Sequence, residues 1–385
     1  MFAHDGVVLA RPPDPTATAD SPYLAGAGAA LYNGLDMITG LHLTLPHQSA
    51  AICSTGSSAD KSLRLLSRSG LKTPSDLRKF RSGAQAVRYA REAVERGETL
   101  EFQFPPHDPL LRAARARVPA DLVARLNNKT VLETLVAPEY LPRRQVATPA
   151  EVRRIVARTA GRRSSNRPGS RCPAELRSSP VGCGTGGTRS LFNQLEQVSE
   201  QWIVEEEVPF QTIWGIQFGV TDSGSVHYFG SSVHLPQPTS TWVGCVMDDD
   251  QPPEELVEAL TVGSERPARR VPGLLLLRRR DRPRRRPAGH RPELPGQRGH
   301  HLAAAPQLAA GPASVRHDHV LLTGPGVDAE PILAPFIDRG QFVVFMHHDP
   351  AETDNGPLPA TIVGMVGAAD RQAAACWWRR SSGPW

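Results

Sequence analysis

Short apolar stretches alternate with segments of helical period over roughly the first 115 residues, the pattern of an α/β domain. The clearest helical segment is "TPSDLRKFRSGAQAVRYAREAVERGETL", where Leu77, Phe80, Ala84, Val87 and Ala90 recur at helical spacing. Ser75 stands where an amino-terminal cap belongs, and Gly97 can end the helix. A second helix is predicted from about Pro119 through "PADLVARLNNKTVLETLV". A short strand, a Thr148 cap and another helix follow in "APEYLPRRQVATPAEVRRIVA". Further on, "QWIVEEEVPFQTIWGIQFGVTDSGSVHYFGSSV" reads as one strand followed by an antiparallel hairpin that turns at Thr221 to Gly224. "PPEELVEAL" is a short helix, and regular patterning returns only around "AEPILAPFIDRGQFVVFMHHDP". The tail "DRQAAACWWRRSSGPW" has no recognisable element.

With 385 residues, 39% of them hydrophobic and 22% charged, the chain is in the globular class and long enough for two or three domains. No run approaches the roughly 20 apolar residues that span a bilayer. The start "MFAHDGVVLARPPDP" lacks the pattern of a signal peptide, so a cytoplasmic protein is expected. Cys53, Cys172, Cys183, Cys245 and Cys376 are scattered, odd in number and never paired as CxxC; free thiols are the expectation.

The net charge of +5 is unevenly spread. Residues 153–189 carry nine arginines against one acid, Glu175; residues 266–298 carry twelve against Asp281 and Glu293. The rest of the chain is therefore strongly acidic, and the basicity belongs to two tracts that are also rich in proline, glycine and serine. The four lysines, Lys61, Lys72, Lys79 and Lys129, all lie outside them.

Three features bear on nucleotide chemistry. Lys129 sits on the second predicted helix, although a single lysine is by default a solvated side chain. In "PVGCGTGGTRS", Gly182, Gly184, Gly186 and Gly187 let backbone N–H groups approach phosphate oxygens closely. The loop matches neither the Walker pattern nor GxGxxG, and a plain linker has the same composition. In "WIVEEEVPF", Glu205 and Glu206 end a strand where carboxylates could accept hydrogen bonds from an adenine amino group or ribose hydroxyls, with the backbone at Val208 beside them; a solvated strand end is the alternative.

In this order and at these spacings the three features resemble the ATP-grasp superfamily, and "PPHDPLLRAARARVPADLVARLNNKTVLETL" resembles the domain that precedes the grasp in its actinobacterial peptide-ligase-like branch. The resemblance covers about residues 100–265, and 330–366 less closely. It implies an α/β fold with a pre-ATP-grasp domain at 1–115, an ATP-grasp domain of two α+β subdomains at 116–335 and a C-terminal segment at 336–385. It also implies ATP and Mg2+, small-molecule carboxylate and amine substrates and C–N bond formation through an acyl phosphate, with a homo-oligomer left open. Lys129 would contact phosphates, the four glycines would cover them, and Glu205, Glu206 and Val208 would hold adenine and ribose.

The resemblance fails where magnesium should bind. After the hairpin such enzymes need a strand with acid ligands and a final motif with acid and asparagine. Here Arg278 stands at the first position, Arg291 and Glu293 at the last two; only Glu293 could take a coordination place. Two guanidinium groups there would repel the cation at a cost of several kcal/mol.

The codons of residues 291–297 can be written CGA CCT GAA CTT CCG GGT CAA. Shifted by one base, and completed by the first base of the next codon, they read Asp-Leu-Asn-Phe-Arg-Val-Asn. The protein sequence fixes the outer bases of each shifted codon and leaves only the middle one free. By the same rule residues 271–282 allow Tyr-Arg-Gly-Phe-Cys-Ser-Phe-Asp-Val-Val-Ile-Asp, and 300–304 allow Thr-Thr-Ser-Leu-Leu. The stretch 270–315 is thus read as out-of-frame translation of an ATP-grasp core, with the fold expected to be locally disrupted at about 158–180 and 270–315 and the ligase impaired as written. The tract 158–180 shares its composition and replaces the strand that should carry a second ATP lysine, and the tail from about Arg371 is a third candidate.

Two alternatives belong to other classes. One is a non-catalytic ATP-grasp remnant. The other is a nucleic-acid-binding protein using its arginines, disfavoured because neither tract interleaves aromatics for base stacking and the rest of the chain is acidic. Metal binding by His300, His301, His317, His319, His347 and His348 ranks below both, since no spacing matches a known ligand set.

Overall fold

The computed structural model describes residues 4–13, 29–44, 48–135, 141–163, 201–206, 212–220, 225–234, 245–247, 250–265, 273–280, 288–293, 315–355 and 358–368. The first part is a parallel α/β layer. β1 (His4–Leu9), α1 (Ala29–Leu41), β2 (Gln48–Ser54), α2 (Thr55–Ser58), α3 (Asp60–Arg68), β3 (Asp76–Phe80), α4 (Gly83–Glu95) and β4 (Leu100–Phe102) follow in sequence. The four strands form a parallel sheet in the order β3-β2-β1-β4. A parallel sheet is covered on both faces, and alternation in β1 and β2 serves both. Val8, Ala51 and Cys53 join one core; Val7, Leu9, Ala50 and Ile52 join the other, with α4. Ala86, Ala90 and Ala93 of α4 are buried, and these small side chains bring the helix close to the sheet.

The helix expected from Ser75 to Gly97 is in fact a strand and a shorter helix. Asp76–Phe80 is β3, α4 begins at Gly83, and its cap is Ser82, whose Oγ accepts from the Gln85 amide at 3.4 Å. Tertiary pairing with β2 overrides the local helical spacing of Leu77 and Phe80. Gly97, at φ +76°, does end the helix.

α5 (Pro109–Ala113), α6 (Ala120–Asn127) and α7 (Leu132–Leu135) come next, the last two separated by a 3-10 turn at Lys129–Val131. The single helix expected from Pro119 is therefore interrupted: Asn128, with ψ 108°, ends α6, and its side chain accepts from the Thr130 amide at 2.9 Å. β5 (Arg144–Ala147), the Thr148 cap and α8 (Pro149–Arg163) agree with the sequence reading. Thr148 and Glu151 form a capping box, the Thr148 amide donating to Glu151 Oε2 at 2.7 Å and the Glu151 amide to Thr148 Oγ1 at 3.4 Å.

β6 (Trp202–Glu205) pairs antiparallel with β5 in a small separate sheet. The expected hairpin is β7 (Ile213–Val220) with β8 (Val226–His234). β9 (Cys245–Met247), α9 (Glu254–Glu265), β10 (Gly273–Arg280), β11 (Ala288–Glu293), β12 (Val315–Thr323), α10 (Glu330–Asp338), β13 (Phe342–His348) and β14 (Ala360–Ala368) complete the chain. β10, β11 and β12 thus stand before the point at which sequence patterning returns. β7 to β14 make an eight-stranded sheet in the order β11-β10-β7-β8-β9-β12-β14-β13, every neighbouring pair antiparallel.

β13 is an edge strand, yet all seven of its residues are buried. α1, α2, α3 and α10 lie over it, so one core joins Leu65, Leu66 and Leu71 of the first layer to Leu333, Phe342 and Val344 of the last. Cys53 and Cys245 are buried thiols outside any disulfide. Among the described residues no helix is long and apolar enough to cross a membrane.

Candidate functional site

Two of the residues expected at a nucleotide site meet around a third that sequence reading passed over. Arg144 opens β5 directly opposite Glu205, the last residue of β6. Its side chain is 3% exposed, with Nη1 3.6 Å from Glu205 Oε1 and Nε 3.9 Å from Glu133 Oε1. Nη2 donates to the Lys129 carbonyl at 2.8 Å. Lys129 is half-buried on its 3-10 turn, and Glu205 and Glu206 are exposed at the strand end. The Glu206 amide donates to the Arg143 carbonyl at 2.8 Å, so the acidic strand end remains paired to β5. Gly182, Gly184, Gly186, Gly187 and Val208 lie outside the described residues.

At the positions where the resemblance puts magnesium, β10 and β11 pair so that Arg278 faces Arg291 and Leu276 faces Glu293. On its other side Arg278 lies opposite Gly215 of β7. A divalent cation needs anionic or carbonyl oxygens, and a guanidinium offers neither. The donor set at 278 and 291 therefore does not fit magnesium, and among the described residues no cluster of histidine, cysteine and carboxylate side chains could hold a metal ion.

A third polar constellation lies where the first layer meets β13. His347 and His348 are both fully buried. Ser62 of α3 lies 2.9 Å from His347 Nδ1, and Ser57 of α2 lies 2.8 Å from His348 Nδ1. Burial pushes both imidazoles down to about 4, so both are neutral near pH 7. Asp349, fully buried, receives Lys61 Nζ at 2.5 Å, the Gly326 amide at 2.9 Å and the Ala351 amide at 3.0 Å. Burial raises this carboxyl, but Lys61 and the two amides outweigh it and hold the group below the usual carboxylate range. Nearby, Arg11 Nε donates to Asp36 at 2.7 Å, and Asn355 Nδ2 donates to the other Asp36 oxygen at 2.8 Å, joining β1, α1 and the loop after β13. No local motif announced these residues, because their partners stand nearly 300 positions away in the chain. The serines and histidines form neutral pairs inside an interface, the arrangement of a structural seam.

A parallel α/β layer, a small two-stranded lobe carrying the acidic strand end, and a long antiparallel sheet together make the ATP-grasp fold. An N5-carboxyaminoimidazole ribonucleotide synthetase solved with ADP superposes over 100% of this chain and 99% of its own, with TM-score 0.57 and 8% identity. The synthetase from Thermus thermophilus covers 98% and 99% at TM-score 0.53 and 12% identity. That from Aspergillus clavatus, solved with ADP and 5-aminoimidazole ribonucleotide, covers 97% and 96% at 0.52 and 9%. Residues 1–124 match the family described as L-aspartate--L-methionine ligase N-terminal domain. A search of curated proteins gives no match to the chain.

Proposed function

We propose that this fold is that of an ATP-dependent carboxylate–amine ligase, written in this chain with its cation site out of frame. In the proposed reaction a carboxylate oxygen attacks the γ-phosphorus of ATP and ADP leaves. An amine nitrogen then attacks the acyl phosphate carbon, phosphate leaves and the nitrogen loses a proton. Lys129 serves as a phosphate contact, Gly182, Gly184, Gly186 and Gly187 as the cover over the phosphates, and Glu205, Glu206 and the Val208 backbone as the adenine and ribose contacts. The domains divide at about 115 and 335, the compartment is the cytoplasm, and the substrates are small molecules. The match of residues 1–124 to an amino-acid ligase domain makes amino acids the first substrates to try.

The observation that carries this reading is the register of β10 and β11. Position 278 lies directly opposite 291, and 276 opposite 293. These are the strands whose codons, shifted by one base, supply Asp at 278, Asp at 291 and Asn at 293. Arginines written in the chain thus occupy facing positions where the shifted frame supplies two carboxylates, with an amide two residues along, a donor set that suits a divalent cation. No step can be routed through magnesium in the chain as it stands.

Sequencing the encoding DNA across residues 150–310 tests this. Single-base insertions or deletions at the edges of the two basic tracts are the expected result. A confirmed frame with the arginines intact would remove the cation site and turn the reading into that of a non-catalytic remnant.

A further inference from the structure

We infer that Arg144 is the positioning residue of the nucleotide cleft, tying the Lys129 turn to the acidic end of β6. The inference rests on the ligase reading for the identity of the ligand. Its geometric basis is independent. The Arg144 side chain is 3% exposed, an unusual place for a guanidinium unless its donors are used. One terminal nitrogen, Nη2, is bound to the Lys129 carbonyl at 2.8 Å, which fixes the 3-10 turn that follows α6. The other, Nη1, is buried without a hydrogen-bond acceptor and lies 3.6 Å from Glu205 Oε1.

One planar group therefore spans from the Lys129 backbone to the Glu205 carboxylate. Neither chain neighbourhood nor strand pairing joins those two elements otherwise, since Lys129 precedes β5 and Glu205 lies on β6. An arginine suits this task better than a lysine, because one rigid plane lets Nη2 donate to the Lys129 carbonyl while Nη1 stays at ion-pair distance from Glu205. With no lysine after Lys129 in the sequence, Arg144 is also a cation held beside the proposed phosphate lysine.

The test uses the full chain, with ATP and GTP as probes, and the variants Arg144→Met and Arg144→Lys. The methionine fills similar space, and Glu205 and Glu133, at 29% and 59% exposure, can turn to water, so the lobe is expected to stay folded. Arg144→Met is expected to weaken ATP binding by roughly tenfold, the loss that follows one charge-assisted hydrogen bond. It should also narrow the preference for ATP over GTP, because Glu205 is no longer held, and Arg144→Lys should recover part of the affinity. Hydrogen exchange at the amides of 129–135 and 205–206 should quicken together in Arg144→Met. A purely structural role would lower the melting temperature and leave the ATP/GTP ratio unchanged, which overturns the inference. If the unaltered chain binds neither nucleotide, the nucleotide role of Lys129 and Glu205 falls; the exchange measurement then decides alone, and unchanged exchange in Arg144→Met overturns the coupling.

Discussion

His347 and His348 stand side by side at the end of β13 with both rings fully buried, each turned to a serine of a different helix. Lys61, Asp349 and Asp328 supply the charges that act on His347, and Asp349 and His347 those that act on His348. The folded imidazoles titrate near 4, the unfolded ones near 6.5. Above about pH 6.5 neither state is protonated and the full stability is present. Between about 6.5 and 4 the unfolded chain takes up the protons first, so stability falls with pH by up to about 1.4 kcal/mol per unit for each histidine. Urea midpoints at pH 7.5 and pH 5 should differ, and the double variant His347→Gln/His348→Gln should show a flatter profile. A wild-type midpoint that stays constant over that range would sink the argument. Lys61→Met leaves the Asp349 carboxylate buried with only its two amide donors and should cost about 3 kcal/mol in equilibrium unfolding. No such partnership was legible in the sequence, since Lys61 and Asp349 belong to segments whose local patterns are complete without each other. Lys129 and Glu205 stood out as candidates from their setting; nothing in the sequence set Arg144 apart from the chain's other arginines.

Among the elements, those whose limits are set by local chemistry were read correctly. Thr148 and Glu151 satisfy each other's amides within one turn, so α8 announces its own start, and β7 and β8 alternate as a hairpin does. β3 was not legible, because Leu77 and Phe80 have a helical interval and only pairing with β2 makes Asp76–Phe80 extended. The break between α6 and the Lys129 turn was missed for the opposite reason: the apolar spacing continues while the Asn128 side chain takes the Thr130 amide. α2 is defined by what it touches. Gly56 sits there with its amide on Ser54 Oγ and its carbonyl accepting from the Asp349 amide at 3.0 Å. A Cβ at this position would meet His348 Cε1 at 2.6 Å and the Asp349 carbonyl oxygen at 2.7 Å. The second neighbour is backbone and cannot rotate away. Gly56→Ala should therefore push β13 off α2 and cost about 1–3 kcal/mol, read as a drop in the urea midpoint; an unchanged midpoint would mean that the two elements are not packed as described.

At the scale of the molecule, the first layer shares one apolar core with β13 and β14 even though the chain between them includes both basic tracts. Leu65 and Leu66 on α3 share a core with Phe342, Val344 and Phe345 on β13, and the surface ion pairs Arg64–Glu330 and Arg68–Asp338 run over the same seam. Those pairs are exposed and add little, so the shared apolar burial carries the coupling. Phe342 is the residue on which to test the unity of this core, because it is fully buried and packs so tightly that a Cβ on Gly364 of β14 would overlap its ring. Phe342→Ala should cost about 3–5 kcal/mol. If α3 and β13 open as one unit, hydrogen exchange at the amides of Leu65 and Leu66 should accelerate by the same factor as at Val344 and Phe345, while the β5–β6 pair, which has its own small core, keeps its protection. Acceleration confined to β13 would instead mean that the first layer holds itself together, and that the seam joins two bodies.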